Sequence, residues 1–224
     1  MTARWWHGVT AAVSGASLLL QLVLSATADN DTLSTRLIRL LSFFTVQANI
    51  IVTVVSISLL LDPSRDGRGW RIARLLSVSC IAVTGVVYVT VLRGLVELGP
   101  AGRVADIGLH YLTPALAVLG WLLFGPRPRI DKATVGWALV FPVLWLAYTL
   151  VRGEIADWYP YPFVDVAAEG YAAVLLNCVL VTLLFLAVCG LLLVADRRLS
   201  AAPSSPAGLP ASPARHPGSP PSGR

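Results

Sequence analysis

Six apolar runs, each long enough to cross a bilayer, constrain this chain more than any other feature. They fall at about 5–26, 38–61, 72–94, 107–124, 134–151 and 173–194. A hydrocarbon layer of roughly 30 Å takes about 20 residues of α-helix. Lipid offers no hydrogen bonds, so each run must satisfy its own backbone, and a helix does that. The charged share of 13% is far below a soluble chain's, which is about 25%, and the mean hydropathy is +0.73. No stretch between the runs has the apolar content of a separate domain. The expected fold is all-α, a polytopic membrane protein with six transmembrane helices in one bundle over residues 1–198. From Ala201 onward Pro, Ser, Ala and Gly dominate, so 199–224 is expected to be a disordered tail.

Charge placement sets the expected orientation. The N-terminus, second loop, fourth loop and tail hold twelve Lys and Arg, including Arg65, Arg68, Arg71, Arg74, Arg127, Arg129 and Lys132; the other loops hold five, Arg36, Arg39, Arg93, Arg103 and Arg152. Cytoplasmic loops carry the excess, which places both termini in the cytoplasm of a multi-pass cell-membrane protein. Trp5, Trp6 and Trp70 fall at the inner boundary, and Trp158, Tyr159 and Tyr161 at the outer one. The net charge of +5 follows this topology and does not imply nucleic acid as a partner; membrane lipids are the expected one. Arg4, an apolar run and Ala26-Thr27-Ala28 also resemble a signal peptide. That run exceeds a usual h-region of about 7–15 residues. It carries Thr10, Ser14, Ser17, Gln21 and Ser25 on one helical face, as a retained, packed helix does. Cys80, Cys178 and Cys189 lie in spans without metal-ligand spacing, so neither a disulfide framework nor a metal or other cofactor is expected.

Polar residues gather on single faces of the spans, as inward faces require. Ser42, Thr45, Asn49, Thr53 and Ser56 form one such face; Ser77, Cys80, Thr84 and Tyr88 another; Asp106, His110 and Thr113 a third. The fifth run has an aromatic stripe of Trp137, Phe141, Trp145 and Tyr148, and the sixth has Asn177 near its start. A polar interior partly walled by aromatics suits an amphipathic ligand. With the second and fourth spans both descending from the outer face, Thr45 lies roughly 10 Å in and His110 roughly 5 Å in. His110 is the one histidine inside a span and away from a terminus. An imidazole accepts a hydroxyl proton near neutral pH, so Thr45 and His110 are the candidate nucleophile and base. Threonine in a membrane helix also commonly bonds its own i−4 carbonyl. Gly-x-Ser-x-Gly, His-Glu-x-x-His and a phosphate-binding glycine loop are absent.

Phe43-Phe44-Thr45-Val46-Gln47-Ala48-Asn49 in the second span and His110-Tyr111-Leu112-Thr113-Pro114 in the fourth resemble the androgen-induced and androgen-dependent multi-pass membrane proteins. Trp158-Tyr159-Pro160-Tyr161-Pro162-Phe163-Val164-Asp165 is similar to the signature of a bacterial six-helix branch. The resemblance covers about residues 5–195. It implies hydrolysis of esters between a fatty acid and a hydroxy fatty acid, with Thr45 as nucleophile and His110 as its base, and a lipid ester as the partner bound. It supplies no third residue.

On this reading Asp106, one turn before His110, orients the imidazole, and Asn49 or Asn177 donates to the developing oxyanion. Tyr88, Arg93, Tyr161 and Asp165 are expected around the pocket and its outer mouth. Arg93 serves either to receive a substrate carboxylate or to reach the surface, and Asp165 either to close the mouth or to cap a helix. Two other classes fit the same residues. One is a small transporter or proton relay using His110. The other is a non-catalytic scaffold whose Thr45 and His110 are interhelical bonds.

Overall fold

The computed structural model describes residues 2–199, and these are all-helical. The chain runs α1 (Ala3–Thr27), α2 (Leu33–Ser42), α3 (Phe44–Leu61), α4 (Arg68–Val87), α5 (Pro100–Ile107), α6 (Thr113–Phe124), α7 (Lys132–Ala156) and α8 (Val166–Arg198). Two π-helical turns, Tyr88–Leu92 and Gly108–Leu112, extend α4 and join α5 to α6. Six rods are therefore long and apolar enough to cross a membrane. The expected 199–224 tail lies outside the described residues apart from Leu199.

α3 and α4 form the centre. α1 packs along α3 and against the α5–α6 rod, while α4 also carries α6, α7 and α8. Large apolar side chains point outward, among them Leu61, Val143, Leu144, Val151 and Leu191. Ser14, Asn49, Ser77 and Thr113 are buried. This inside-out distribution is what a lipid solvent selects. The expected polar stripe of α1 does face inward: Ser14 Oγ donates to the Asn49 carbonyl at 3.1 Å, and Thr53 Oγ1 donates to Ser14 Oγ at 2.9 Å.

Three of the runs differ from those expected. The fourth rod begins at Pro100 rather than 107. Proline suits the first helical position because its missing N–H needs no partner there. His110 thus lies ten residues into the rod, roughly 15 Å at helical rise, deeper than the apolar boundary implied. The second run is not one helix. Phe43, at φ −69° and ψ 126°, breaks it into α2 and α3. Neither glycine nor proline marks the break, so its cause is tertiary. The sixth rod also starts early, at Val166, with a non-helical residue at Gly170 (φ 77°) that glycine tolerates.

The π turn at Gly108–Leu112 has a local cause. Pro114 has no N–H for the His110 carbonyl, and the Thr113 N–H reaches back to Gly108 instead. Close packing holds the turn. A Cβ at Gly85 of α4 lies 3.1 Å from Pro114 Cβ, and a Cβ at Gly108 lies 1.9 Å from Ser17 Oγ and 2.8 Å from Ser17 Cβ. Gly108→Ala is therefore expected to lower stability by about 1–3 kcal/mol through overpacking. Thermal unfolding in detergent checks this. Ser17→Gly, which removes both clashing atoms, is expected to restore most of the loss in the double variant.

Candidate active site

The break at Phe43 leaves four backbone groups without helical partners, and each turns to a side chain. The Leu41 carbonyl accepts from Gln47 Nε2 at 2.7 Å. The Ser42 carbonyl accepts from Trp145 Nε1 at 3.0 Å. The Thr45 N–H donates to the Tyr161 phenol oxygen at 3.1 Å, and the Phe44 N–H is directed at the same oxygen. Helix termini need such partners, and Tyr and Trp supply them from an apolar body with a polar tip. Phe43 itself lies edge-on to Trp158 and Tyr161, at centroid distances of 5.7 and 5.5 Å. Thr45 consequently occupies the first turn of α3, with a buried hydroxyl (6% exposed) that bends toward other helices.

His110 Nε2 lies 3.3 Å from Thr45 Oγ1. That is at the long end of hydrogen bonding, as catalytic pairs often are before substrate binds. On the other side of the ring, Nδ1 meets Asp106 Oδ1 at 2.8 Å. The carboxylate claims the Nδ1 proton, which leaves the Nε2 lone pair facing the Thr45 hydroxyl. Asp106 Oδ2 in turn accepts from the Tyr88 hydroxyl at 2.6 Å, and the Tyr88 ring stacks on the imidazole at 4.0 Å and 15°. Both partners of that stack sit in π turns, which re-aim side chains and recur at functional sites. Thr45, His110 and Asp106 thus form one line of polar contacts drawn from two rods.

The remaining expected residues take different places. Asn49 is fully buried and spends both amide hydrogens on carbonyls, Thr45 at 2.9 Å and Leu109 at 3.2 Å. It clamps α3 to the π turn of His110 and sets their spacing, so the expected oxyanion role is corrected to a positioning one. Asn177 Nδ2 donates to the Phe163 carbonyl at 2.9 Å and holds the 158–165 loop, and the residue is not among those lining the cleft. Tyr88 stands behind His110, away from the cleft. Arg93 is exposed and is not among the cleft residues. Asp165 caps α8 by accepting from the Ala168 N–H at 3.1 Å. Thr113, on the expected face with His110, is buried with no hydrogen-bond partner for its hydroxyl. Ser42 turns away from Thr45 to the Tyr148 hydroxyl, at 2.9 Å.

Tyr161, expected at the mouth, is at the centre. It is 8% exposed, and its hydroxyl lies 3.2 Å from Thr45 Oγ1. Burial pushes its phenol up from the ordinary value, against the hydrogen bonds from the Thr45 and Phe44 N–H groups, so it stays protonated. A cleft of about 100 Å³ opens beside Thr45 and Tyr161. Leu139, Pro142 and Trp145 of α7, Val181 and Phe185 of α8, and Phe163 line it. α7 and α8 touch each other little, and the cleft residues on them include the outward-facing Val143 and Thr182. One side of Thr45 therefore meets an apolar cleft, while the imidazole approaches from another. The aromatic stripe of α7 foretold part of this wall. Phe163 and Phe185 read in the sequence only as ordinary apolar residues.

No protein-family model, curated protein or solved structure matches this chain.

Chemically, the arrangement can deprotonate a hydroxyl beside an apolar slot. Trp145→Phe removes the donor to the Ser42 carbonyl and leaves a buried acceptor unpaired. It is expected to cost about 1–3 kcal/mol, read as a lower unfolding temperature in detergent, whereas the exposed Trp137→Phe is expected to change little.

Proposed function

We propose that this protein is an intramembrane threonine hydrolase that cleaves a lipid ester through an acyl-threonine intermediate. The observation that carries the reading is the unbroken line of contacts from Thr45 Oγ1 to His110 Nε2 at 3.3 Å and from His110 Nδ1 to Asp106 at 2.8 Å. The resemblance to the androgen-induced and androgen-dependent proteins supports the same two residues. It also points to an ester of a fatty acid with a hydroxy fatty acid. The excess of Lys and Arg on one set of loops supports cytoplasmic termini in the cell membrane, which puts Thr45 in the outer leaflet. The ester then enters sideways between α7 and α8, with its acyl chain in the apolar cleft.

In the first half-reaction His110 Nε2 takes the Thr45 proton as Oγ1 bonds to the ester carbonyl carbon. The tetrahedral intermediate collapses, the alkoxy C–O bond breaks, and the imidazolium returns the proton to the departing hydroxyl. Water, deprotonated by the same nitrogen, then attacks the acyl-threonine, releasing the fatty acid and restoring Thr45. Asp106 fixes the ring and balances the imidazolium charge; Tyr88 holds Asp106 and covers the ring face.

A fluorophosphonate probe on the purified full-length protein tests this. Labelling is expected in the wild type and not in Thr45→Ala. His110→Ala and Asp106→Asn are expected to lower ester turnover by about 10²–10⁴. Equal labelling of Thr45→Ala, or folded wild-type protein that is neither labelled nor active on a panel of lipid esters, overturns the reading.

Chain-length preference tests the cleft separately. Of the cleft residues on α7 and α8, Leu139 and Phe185 are the farthest along each helix from the 158–165 loop. Phe185→Ala is expected to shift kcat/KM toward longer acyl chains by about tenfold, the scale of a methylene or two in an apolar pocket. Competition between esters of two chain lengths reads this directly.

A further inference from the structure

We infer that Tyr161 donates the hydrogen bond that stabilises the oxyanion in this reaction. The inference rests on the proposed hydrolase reading and adds a residue that the Thr-His-Asp line lacks. Any attack by Thr45 moves the carbonyl π pair onto oxygen, and that oxygen needs a donor beside Oγ1. Backbone N–H groups usually serve, but here the Thr45 N–H is committed to the Tyr161 phenol oxygen at 3.1 Å. Both amide hydrogens of Asn49 are committed to carbonyls, and Asn177, which bonds Phe163 in the loop, is not among the residues lining the cleft. The phenol of Tyr161 is what remains. Its oxygen lies 3.2 Å from Thr45 Oγ1, and the ring lines the same cleft as Thr45.

The donor is also prepared for the task. Its oxygen accepts from the first turn of α3, where helix N–H groups and the dipole favour negative charge. Each N–H drawn onto the phenol oxygen polarises the O–H and strengthens the bond it donates. The ring is held by Phe163, stacked at 5.4 Å and 9°, and by Trp145 at 6.0 Å. Prolines on both sides, Pro160 and Pro162, limit how far the loop can move. No proton is transferred from Tyr161. The phenol keeps its hydrogen and shares it first with Thr45 Oγ1, then with the oxyanion as Oγ1 becomes an ester oxygen and a poorer acceptor. When the tetrahedral intermediate collapses, the C=O bond re-forms and the phenol returns to its resting contact.

The test is steady-state hydrolysis of 4-nitrophenyl octanoate by the full-length protein. Tyr161→Phe is expected to lower kcat by about 10²–10³, the effect of losing one oxyanion donor, with KM changed less than about threefold. Because Tyr161→Phe also removes a helix cap, a second variant keeps the cap. Replacing Tyr161 by 3-fluorotyrosine leaves the phenol oxygen in place but makes its proton more acidic, so kcat is expected to rise relative to wild type at a pH where the phenol is intact. Tyr161→Phe within threefold of wild-type kcat, or a fluorotyrosine protein whose kcat does not rise, overturns the inference. If Thr45→Ala remains inactive and unlabelled in that same experiment, the hydrolase reading survives. A wild type without turnover or labelling overturns both together.

Discussion

A single interruption of the hydrogen-bond ladder, at Phe43, organises the site. An unbroken helix from 33 to 61 would tie the Thr45 N–H to Leu41 and leave Tyr161 and Trp145 without partners. Breaking it frees the Leu41 and Ser42 carbonyls and the Thr45 N–H, and Gln47, Trp145 and Tyr161 take them up. An uncompensated break inside an apolar medium costs several kcal/mol per group, so these side chains must be in place for it to exist. The aromatic 158–165 loop is accordingly a structural part of α3's beginning, and through it Thr45 gains a neighbour on each side.

A second set of contacts fixes how far Thr45 stands from His110. Asn49 bonds the carbonyls of Thr45 and Leu109, one on each rod. Ser14 and Thr53 extend that network to α1. Gly85 and Gly108 let α4 and α1 approach the π turn within side-chain contact. Small residues and shared polar groups are the means by which membrane helices associate, since apolar surface gains nothing by leaving lipid. Here they hold a hydroxyl and an imidazole on separate rods in register. α7 and α8, which touch each other little, flank the apolar cleft beside Thr45.

Much of this was legible in the chain. Run length and hydropathy led to six membrane-crossing helices, and the polar faces led to Thr45, His110 and Asp106 meeting on the interior. The widening of the helix at His110 was not foreseen, although Pro114, four residues on, is its local cause. The roles of Asn49, Asn177 and Tyr161 were not legible. An amide or phenol on an inward face reads the same whether it meets a substrate, a carbonyl or a helix end. The early start at Pro100 was hidden by Arg103 and Asp106, which resemble a loop in a hydropathy profile although they continue a helix.

What the sequence determined by itself is therefore the class of fold and which residues face inward, because lipid acts on every residue locally through its polarity. What the tertiary structure decided is the break at Phe43, the pairing of the two π turns and the placement of Tyr161 against Thr45. Those depend on donors and acceptors brought together from separate helices and loops, as far apart in the chain as Thr45 and Tyr161. Neither periodicity nor composition can encode which distant side chain will satisfy an open backbone group; only packing of the whole bundle settles it.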